Sequence, residues 1–511
     1  MIGENRRKSD REPVGVIAAA IDTIMGALSR TWKLTLTTRK KFRKTKVIAT
    51  IGPACDTVAR LKAMIEAGMN VARLNMSHGD DASHAAIVAR IREAADACGA
   101  TIAIMVDTRG REIRSGKIEG GQVLLDAGQP FTLYADGRSG DESGVSISLQ
   151  SLDRHARPGH RVLVDDGQIE LRVEAVEEGR VHCRIETGGI LRDNKGVNLP
   201  DTAEALNDID YDTGRELRFA AEQRVDYIAA SFVRNADEIR AIEAQLRELG
   251  AEIPIIAKIE NRAGVENIEE IIEVSNGIMV ARGDLGVELS IGEGPTIQKR
   301  IIRATVANGK PVITATQMLD SMERNPHPTR AEASDVANAI FDGSSAVMLS
   351  GETASGSRPI EAVKTMVELA LEAEQSLREF GTLQQIKPHP SNDVTEAVAQ
   401  ATITMANHLN SAAIIVMTET GFSARLVSKY RPDCPIVAVT FTSEVVHRLA
   451  LSWGIYGFLY TGADTDEERL AFAIGRAKQI GYVKSGDVVI ITAGPSRQSG
   501  GTNMIRALTV D

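Results

Sequence analysis

Residues 225–260 read VDYIAASFVRNADEIRAIEAQLRELGAEIPIIAKIE. Two apolar runs, VDYIAASF (225–232) and PIIAKIE (254–260), enclose NADEIRAIEAQLRELG, whose apolar residues recur at helical spacing. A short apolar run, an amphipathic helix and a second short run make one β-α-β unit. The unit repeats outward in both directions. Upstream lie KVIATI (46–51), NVARLN (70–75) and TIAIMVD (101–107); downstream lie GIMVA (277–281), PVITAT (311–316) and SAVMLS (345–350). Eight such runs, most followed by a helix such as DTVARLKAMIEAG, predict a closed (β/α)8 TIM barrel of parallel strands rather than an open sheet.

The rhythm breaks once. Between the third and fourth runs, residues 109–200 alternate polar and apolar positions and carry Asp-Gly and Gly-Gly turns, as in RVLVDDGQIELRVEAVEEGRVHCRIETGG. An inserted small all-β domain is expected there, a lid at the barrel's rim. The barrel is then split over 43–108 and 201–380 and ends in the helix PIEAVKTMVELALEAEQSL (359–377). After the linker GTLQQIKPHPSND, alternation resumes with AAIIVMT, PIVAVT, YGFLYT, VVIITAG and NMIRALTV. Residues 392–511 read as a separate doubly wound α/β domain.

Hydrophobic residues make up 43% and charged residues 25%, the balance of a soluble globular chain. The net charge of −10 argues against nucleic acid and anionic membranes as partners, so a phosphorylated substrate needs positive charge gathered locally. The four cysteines, Cys55, Cys98, Cys183 and Cys434, form no CxxC pair. A reducing, cytoplasmic compartment without structural zinc is expected. The most apolar stretch near the start, VGVIAAAIDTIMGAL (14–28), is interrupted by Asp22 and no small-residue cleavage site clearly follows. It reads as a helix or frayed tail in preference to a targeting segment.

In such barrels reactive groups lie where strands end. Strand two ends VARLNMSHG, and alternation puts Arg73, Asn75 and Ser77 on one face if extension continues. Strand three ends with Asp107 and Thr108. The oxygens of Asn75, Ser77, Asp107 and Thr108 carry one formal charge between them and suit a monovalent cation; Asp107 alone reads equally as a turn residue. Arg114 can reach a phosphate. Strand five ends AKIEN, with Lys258 and Glu260 on one face. They form a plain salt bridge, or Glu260 holds a divalent metal while Lys258 faces the same substrate. VARGDLGVEL (280–289) supplies Asp284, a second carboxylate or else an N-cap, after Gly283. Two carboxylates plus substrate oxygens suffice for Mg²⁺. Thr316, Ser350 and Glu352 end strands seven and eight and form either helix caps or a proton relay through water. There is no GxxxxGK[ST] loop and no protein-kinase signature set.

VARLNMSHG, the DT-G-EIR segment, KGVNLP (195–200), SFVR (231–234), AKIEN, ARGDLGVEL, TATQMLDSM and MLSGETA, in this order, resemble the motifs of the pyruvate kinase family from about residue 43 onward. The resemblance implies phosphoryl transfer from phosphoenolpyruvate to ADP, giving pyruvate and ATP as the final step of glycolysis. It implies Mg²⁺ (or Mn²⁺) on Glu260 and Asp284, and K⁺ on Asn75, Ser77, Asp107 and Thr108. Arg73 resembles the group that meets both substrate phosphate and nucleotide. Asn75, His78, Arg114 and Lys195 resemble further nucleotide contacts. Gly283, Asp284 and Thr316 resemble the substrate-binding set, and Lys258 the residue that stabilises the transition state. The family's usual homotetramer is implied as well.

The sequence departs from the family string in DTRGRE (107–112), where Arg109 and Arg111 replace lysine and proline and alter the lid hinge. Glu112 is the family's potassium-dependent choice. Ser83 replaces a frequent aromatic near adenine, so loose base selectivity is expected. Residues 1–42 have no counterpart in the family core and read as an extension or a mistaken start. TETGFSAR (418–425) and AGPSRQSGGTN (493–503) occupy the family's effector positions, where Thr418, Thr420, Ser423 and Arg497 can hold a sugar phosphate and Glu419 opposes one; a fructose 1,6-bisphosphate is disfavoured, and a sugar monophosphate or no effector stays open. Two other readings stand beside this one: a catalytically inactive metabolite-sensing barrel, and another phosphoenolpyruvate-using barrel enzyme.

Overall fold

A computed structural model describes residues 42–110, 112–201, 213–290, 292–381, 393–463, 465–494 and 500–511. The expectations for residues 1–41, Arg111, Arg497 and most of the linker lie outside the described residues.

Strands β1 (Lys46–Thr50), β2 (Val71–Asn75) and β3 (Ala103–Asp107) precede the insertion. The inserted strands are β4 (Ile113–Arg114), β5 (Gln122–Leu125), β6 (Pro130–Tyr134), β7 (Gly144–Ser146), β8 (Arg161–Val164), β9 (Ile169–Glu177), β10 (Arg180–Thr187), β11 (Gly189–Arg192) and β12 (Gly196–Asn198). The barrel resumes with β13 (Tyr227–Ala230), β14 (Ile255–Ile259), β15 (Gly277–Ala281), β16 (Val312–Ala315) and β17 (Ala346–Leu349). These eight close in the order β1-β17-β16-β15-β14-β13-β3-β2, every pairing parallel. Each strand lies inside its expected run.

Alternation gives the barrel two apolar layers. Val47, Ala72, Ile104, Ala257 and Val347 face the helices, while Ile48, Val71, Met105, Ile256, Met279, Ile313 and Met348 fill the interior. Leu451, from the C-terminal domain, packs with that inner cluster. The helices start on side-chain caps: Thr57 accepts from Arg60 N, and Asp80 forms a capping box with Ser83.

The insertion carries its own core, including Phe131, Leu133, Leu171 and Ile185, under a seven-stranded sheet ordered β4-β12-β8-β9-β10-β6-β7. After it, β18 (Ala413–Met417), β19 (Ile436–Thr440), β20 (Ile455–Leu459), β21 (Val488–Ala493) and β22 (Met504–Thr509) form one sheet. Its order, β20-β19-β18-β21-β22, reverses direction of growth beside β18, and only β22 is antiparallel. That is a doubly wound arrangement. No described helix is long and apolar enough to cross a membrane.

Candidate active site

The inner face of the barrel is apolar until its carboxyl ends, where it becomes charged. Two residues beyond the inward Val71, Met105 and Ile256 come Arg73, Asp107 and Lys258, and Glu260 follows Lys258 by two more. Strand geometry therefore brings these groups together without any special turn. The expected alternation stops one step early on β2. The strand ends at Asn75 and turns, because the Asn75 side-chain oxygen accepts the Ser77 N–H at 3.2 Å. Ser77 stays near Asn75 by that contact rather than by extension, and Asn75 pairs in register with Asp107.

Lys258 sits between two carboxylates. Its ammonium lies 2.9 Å from Asp107 Oδ1 and 2.9 Å from Glu260 Oε1, and it donates to Ser231 Oγ at 2.7 Å. Arg73 Nε donates to Asp107 Oδ2 at 2.6 Å and Arg73 Nη1 to Thr50 Oγ1 at 2.9 Å. Glu260 Oε2 accepts the Phe232 N–H at 2.7 Å. Burial opposes charge on Asp107, but Arg73 and Lys258 outweigh it and hold the carboxyl below its ordinary range. Burial works against the Lys258 ammonium too, and Asp107 and Glu260 overcome it, so its affinity for the proton rises. Glu260 goes the other way. Burial pushes it up to about 7 against the pull of Lys258, and Asp284 adds to the push. Asp284 is likewise raised by burial, with Asp166 and Glu112 contributing and Lys258 opposing.

Three carboxylates thus face two cations, and the uncompensated negative charge falls on Glu260 and Asp284. Among the described residues no group of three or more His, Cys, Asp or Glu could hold a metal ion alone. The donor chemistry fits a divalent ion that takes two protein carboxylates and completes its shell with substrate oxygens and water.

Asp284 is not an N-cap. The short helix Arg282–Glu288 has Ala281 at its N-cap position, with no side-chain cap bond, and Asp284 lies third within it. The Gly283 N–H donates to Thr316 Oγ1 at 2.8 Å, and Thr316 Oγ1 donates to Ala315 O at 2.6 Å. Thr316 and Gln317 have φ of +65° and +53°. A β-branched residue in that region is strained by about 1–3 kcal/mol. Arg282 holds the turn: its guanidinium donates to Thr316 O at 2.7 Å and Gln317 O at 3.1 Å and pairs with Asp335 at 2.6 Å.

A cleft of about 320 Å³ opens beside this cluster and is lined by His78, Glu112, Arg114, Lys195 and Asp284. Arg114 Nε donates to Glu112 at 2.9 Å and Lys195 pairs with Asp165 at 2.8 Å. The barrel and the insertion both contribute walls. Arg109 pairs with buried Glu216 at 2.6 Å, and Gly110 has φ +79°, where a Cβ would lie 2.6 Å from the Phe232 ring.

A sequence model of the pyruvate kinase barrel domain matches residues 42–363, and one of the pyruvate kinase alpha/beta domain matches residues 396–508. The chain is 47% identical over 468 residues to the pyruvate kinase of Geobacillus stearothermophilus, covering 91% of this chain and 80% of that one. It is 44% identical over 472 residues to the pyruvate kinase of Clostridium acetobutylicum, covering 92% of this chain and 100% of that one. The chain belongs to the pyruvate kinase family. Its activity is that of a pyruvate kinase, a phosphotransferase.

Sequence reasoning on pyruvate kinase motifs gave no role to Ser231, Phe232, Thr50 or Arg282. Thr50 follows inward Ile48 by two, so the parity that located Arg73 also locates it. Ser231 lies in the SFVR string. The reach of Arg282 across to the Thr316 turn has no sequence signal. Ser350 occupies a cap position, yet its hydroxyl makes no cap bond and is buried without a hydrogen-bond partner among the described residues. Glu352 accepts Leu319 N–H at 3.0 Å and Ser350 N–H at 2.6 Å, bracing the loop after β16 to that after β17. Ser83 spends its hydroxyl on Asp80, in the capping box. In the C-terminal domain Thr418 Oγ1 accepts Gly421 N–H at 3.0 Å, Thr420 Oγ1 accepts Phe422 N–H at 3.4 Å, and Ser423 bonds Thr502. Those loops flank β18 and β21, beside the switch point where doubly wound sheets take ligands.

Proposed function

We propose that the chain transfers the phosphoryl group of phosphoenolpyruvate to ADP at the mouth of its barrel, yielding pyruvate and ATP. The observation that carries this assignment of residues is the Lys258 ammonium between Asp107 and Glu260, 2.9 Å from each. Phosphoryl transfer needs little covalent help and much positive charge around the migrating group. Arg73 and Lys258 supply it, and one such contact at about 4 Å is worth about 4 kcal/mol at an effective dielectric near 20. Glu260 and Asp284 hold Mg²⁺ or Mn²⁺; bound there, the ion neutralises phosphoryl and enolate oxygens. Asn75, Ser77, Asp107 and Thr108 hold K⁺. Asn75, His78, Arg114 and Lys195 meet the nucleotide, the last two exchanging Glu112 and Asp165 for phosphate.

The substrate carboxylate sits against the Gly283 N–H, Asp284 and Thr316. Thr316 then directs a proton to the enolate carbon, and Ser350 with Glu352 relays protons behind it through water. The unpartnered Ser350 hydroxyl supports the relay. Thr418, Thr420, Ser423 and Arg497 make an effector site for a sugar phosphate. A homotetramer in the cytoplasm completes the reading.

Pyruvate formation from phosphoenolpyruvate is measured with and without ADP, Mg²⁺ and K⁺. Turnover that requires all three is expected. ADP-independent turnover indicates another phosphoenolpyruvate enzyme, and tight binding without turnover indicates a sensor.

A further inference from the structure

A second cleft, about 720 Å³, lies between the barrel's outer helices and the C-terminal domain. That is the size of a small-molecule site and far larger than a packing fault. Its walls combine apolar side chains, Phe341 and Leu377 from the barrel and Ile403 from the C-terminal domain, with two cations, the buried Lys44 and the half-buried Arg431. Arg431 stacks over Trp453, 4.7 Å from the ring centroid, and donates to Gly343 O at 2.6 Å. Its Nε is buried and has no hydrogen-bond partner among the described residues. The Lys44 ammonium meets only ring faces among the described residues, Phe42 at 5.6 Å and Trp453 at 5.4 Å.

Acids that could balance these charges are already committed. Glu374 spends its carboxylate on the backbone N–H groups of Lys44 and Thr45. Asp433, on the cleft wall, pairs with Arg378. Burial accordingly pushes Arg431 down to about 9 and lowers Lys44 as well. In a chain of net charge −10, cations withdrawn from water without acid partners among the described residues are costly unless something anionic reaches them. The cleft is also tied to the active site by one strand. Lys44 leads into β1, whose far end, Thr50, accepts from Arg73 at 2.9 Å.

We propose that this cleft binds a small organic anion with an apolar body, its phosphate or carboxylate on Arg431 and Lys44 and its body against Phe341, Leu377 and Ile403. This site is separate from the catalytic cleft and from the Thr418–Ser423 loop, and does not depend on the roles assigned to either.

Trp453 reports on it directly. The chain has two tryptophans, so Trp32→Phe leaves Trp453 as the sole emitter. In that background the full-length protein is titrated with phenyl phosphate, benzoate and inorganic phosphate while indole emission is followed. Saturable change with phenyl phosphate or benzoate, at least tenfold weaker with inorganic phosphate, is expected; the stronger of the first two identifies the anionic group. Thr404→Glu adds a negative charge on the exposed cleft wall without touching the core. It should weaken binding at least tenfold and leave turnover without added anion unchanged. Arg431→Met should abolish the signal. No saturable signal up to about 10 mM of any probe overturns the site. So does a signal that Thr404→Glu leaves unaltered, or binding of inorganic phosphate as tight as that of phenyl phosphate.

Discussion

Two lysines lie buried at opposite ends of the same barrel and meet opposite electrostatic fates. Lys258, at the mouth, is 8% exposed; Lys46, at the floor, is 3% exposed. Lys258 touches two carboxylates and holds its proton more tightly than a free lysine. Lys46 donates to Ile455 O at 2.6 Å and lies over the Tyr456 ring at 4.6 Å, with no acid in contact among the described residues. Burial pushes it down to about 7, Arg43 adding to the effect and Glu374 opposing it. Equal burial therefore does not decide whether a lysine is charged. Its partners do, and the mouth is built to keep a charge that the floor lets go.

The sharpest way to break the contrast is Lys258→Ala. It removes the cation between Asp107 and Glu260, so turnover should fall about 10³-fold, as expected for a lost contact of about 4 kcal/mol. Substrate affinity should stay similar. Steady-state kinetics test this, and unchanged turnover would remove Lys258 from the mechanism. Glu260→Gln comes next. It removes one of two metal carboxylates while keeping the shape, so the Mg²⁺ needed for half-maximal rate should rise about 10–100-fold. An unshifted metal titration places the ion elsewhere.

Lys46→Met tests the floor. The folded value of Lys46 is depressed, so between pH 7 and 10.5 the folded chain binds fewer protons than the unfolded one, and wild-type stability climbs across that window. Methionine should raise stability at pH 7 by about 1–2 kcal/mol and flatten the climb, read from denaturant unfolding at several pH values. A destabilised variant with an unchanged pH profile would mean that Lys46 is charged and satisfied. Smallest in effect is Glu112→Lys. Glu112 grips Arg114 and adds to the negative field at Asp284. Exchanging it for a cation should shrink the response to K⁺ to within about threefold of the K⁺-free rate, a change of about 0.6 kcal/mol or less. An undiminished K⁺ response undoes that link.

The barrel was legible because its signal is periodic. Eight runs of alternating and β-branched residues can be counted without knowing any contact, and parity put Arg73 with Asn75 on one strand's face and Lys258 with Glu260 on another's. Ser77 exposes the limit of parity, since the rule fails where a side chain such as Asn75 caps the strand. Glu352 exposes another: an acid at a strand end looks the same in sequence whether it faces substrate or holds two backbone N–H groups. Thr316 gave no hint of its left-handed backbone, because that conformation is imposed by Arg282 and Gly283 from the neighbouring strand's end.

The sequence by itself determined the barrel, the inserted β domain, the doubly wound C-terminal sheet and the residue types at the mouth, since these follow from local periodicity and turn chemistry. Only the tertiary structure decided which charges meet. The Coulomb energy of a buried group depends on distances across strands far apart in the chain, so the sequence shows Glu260 beside Lys258 but neither Asp107 on its other side nor what surrounds Lys46.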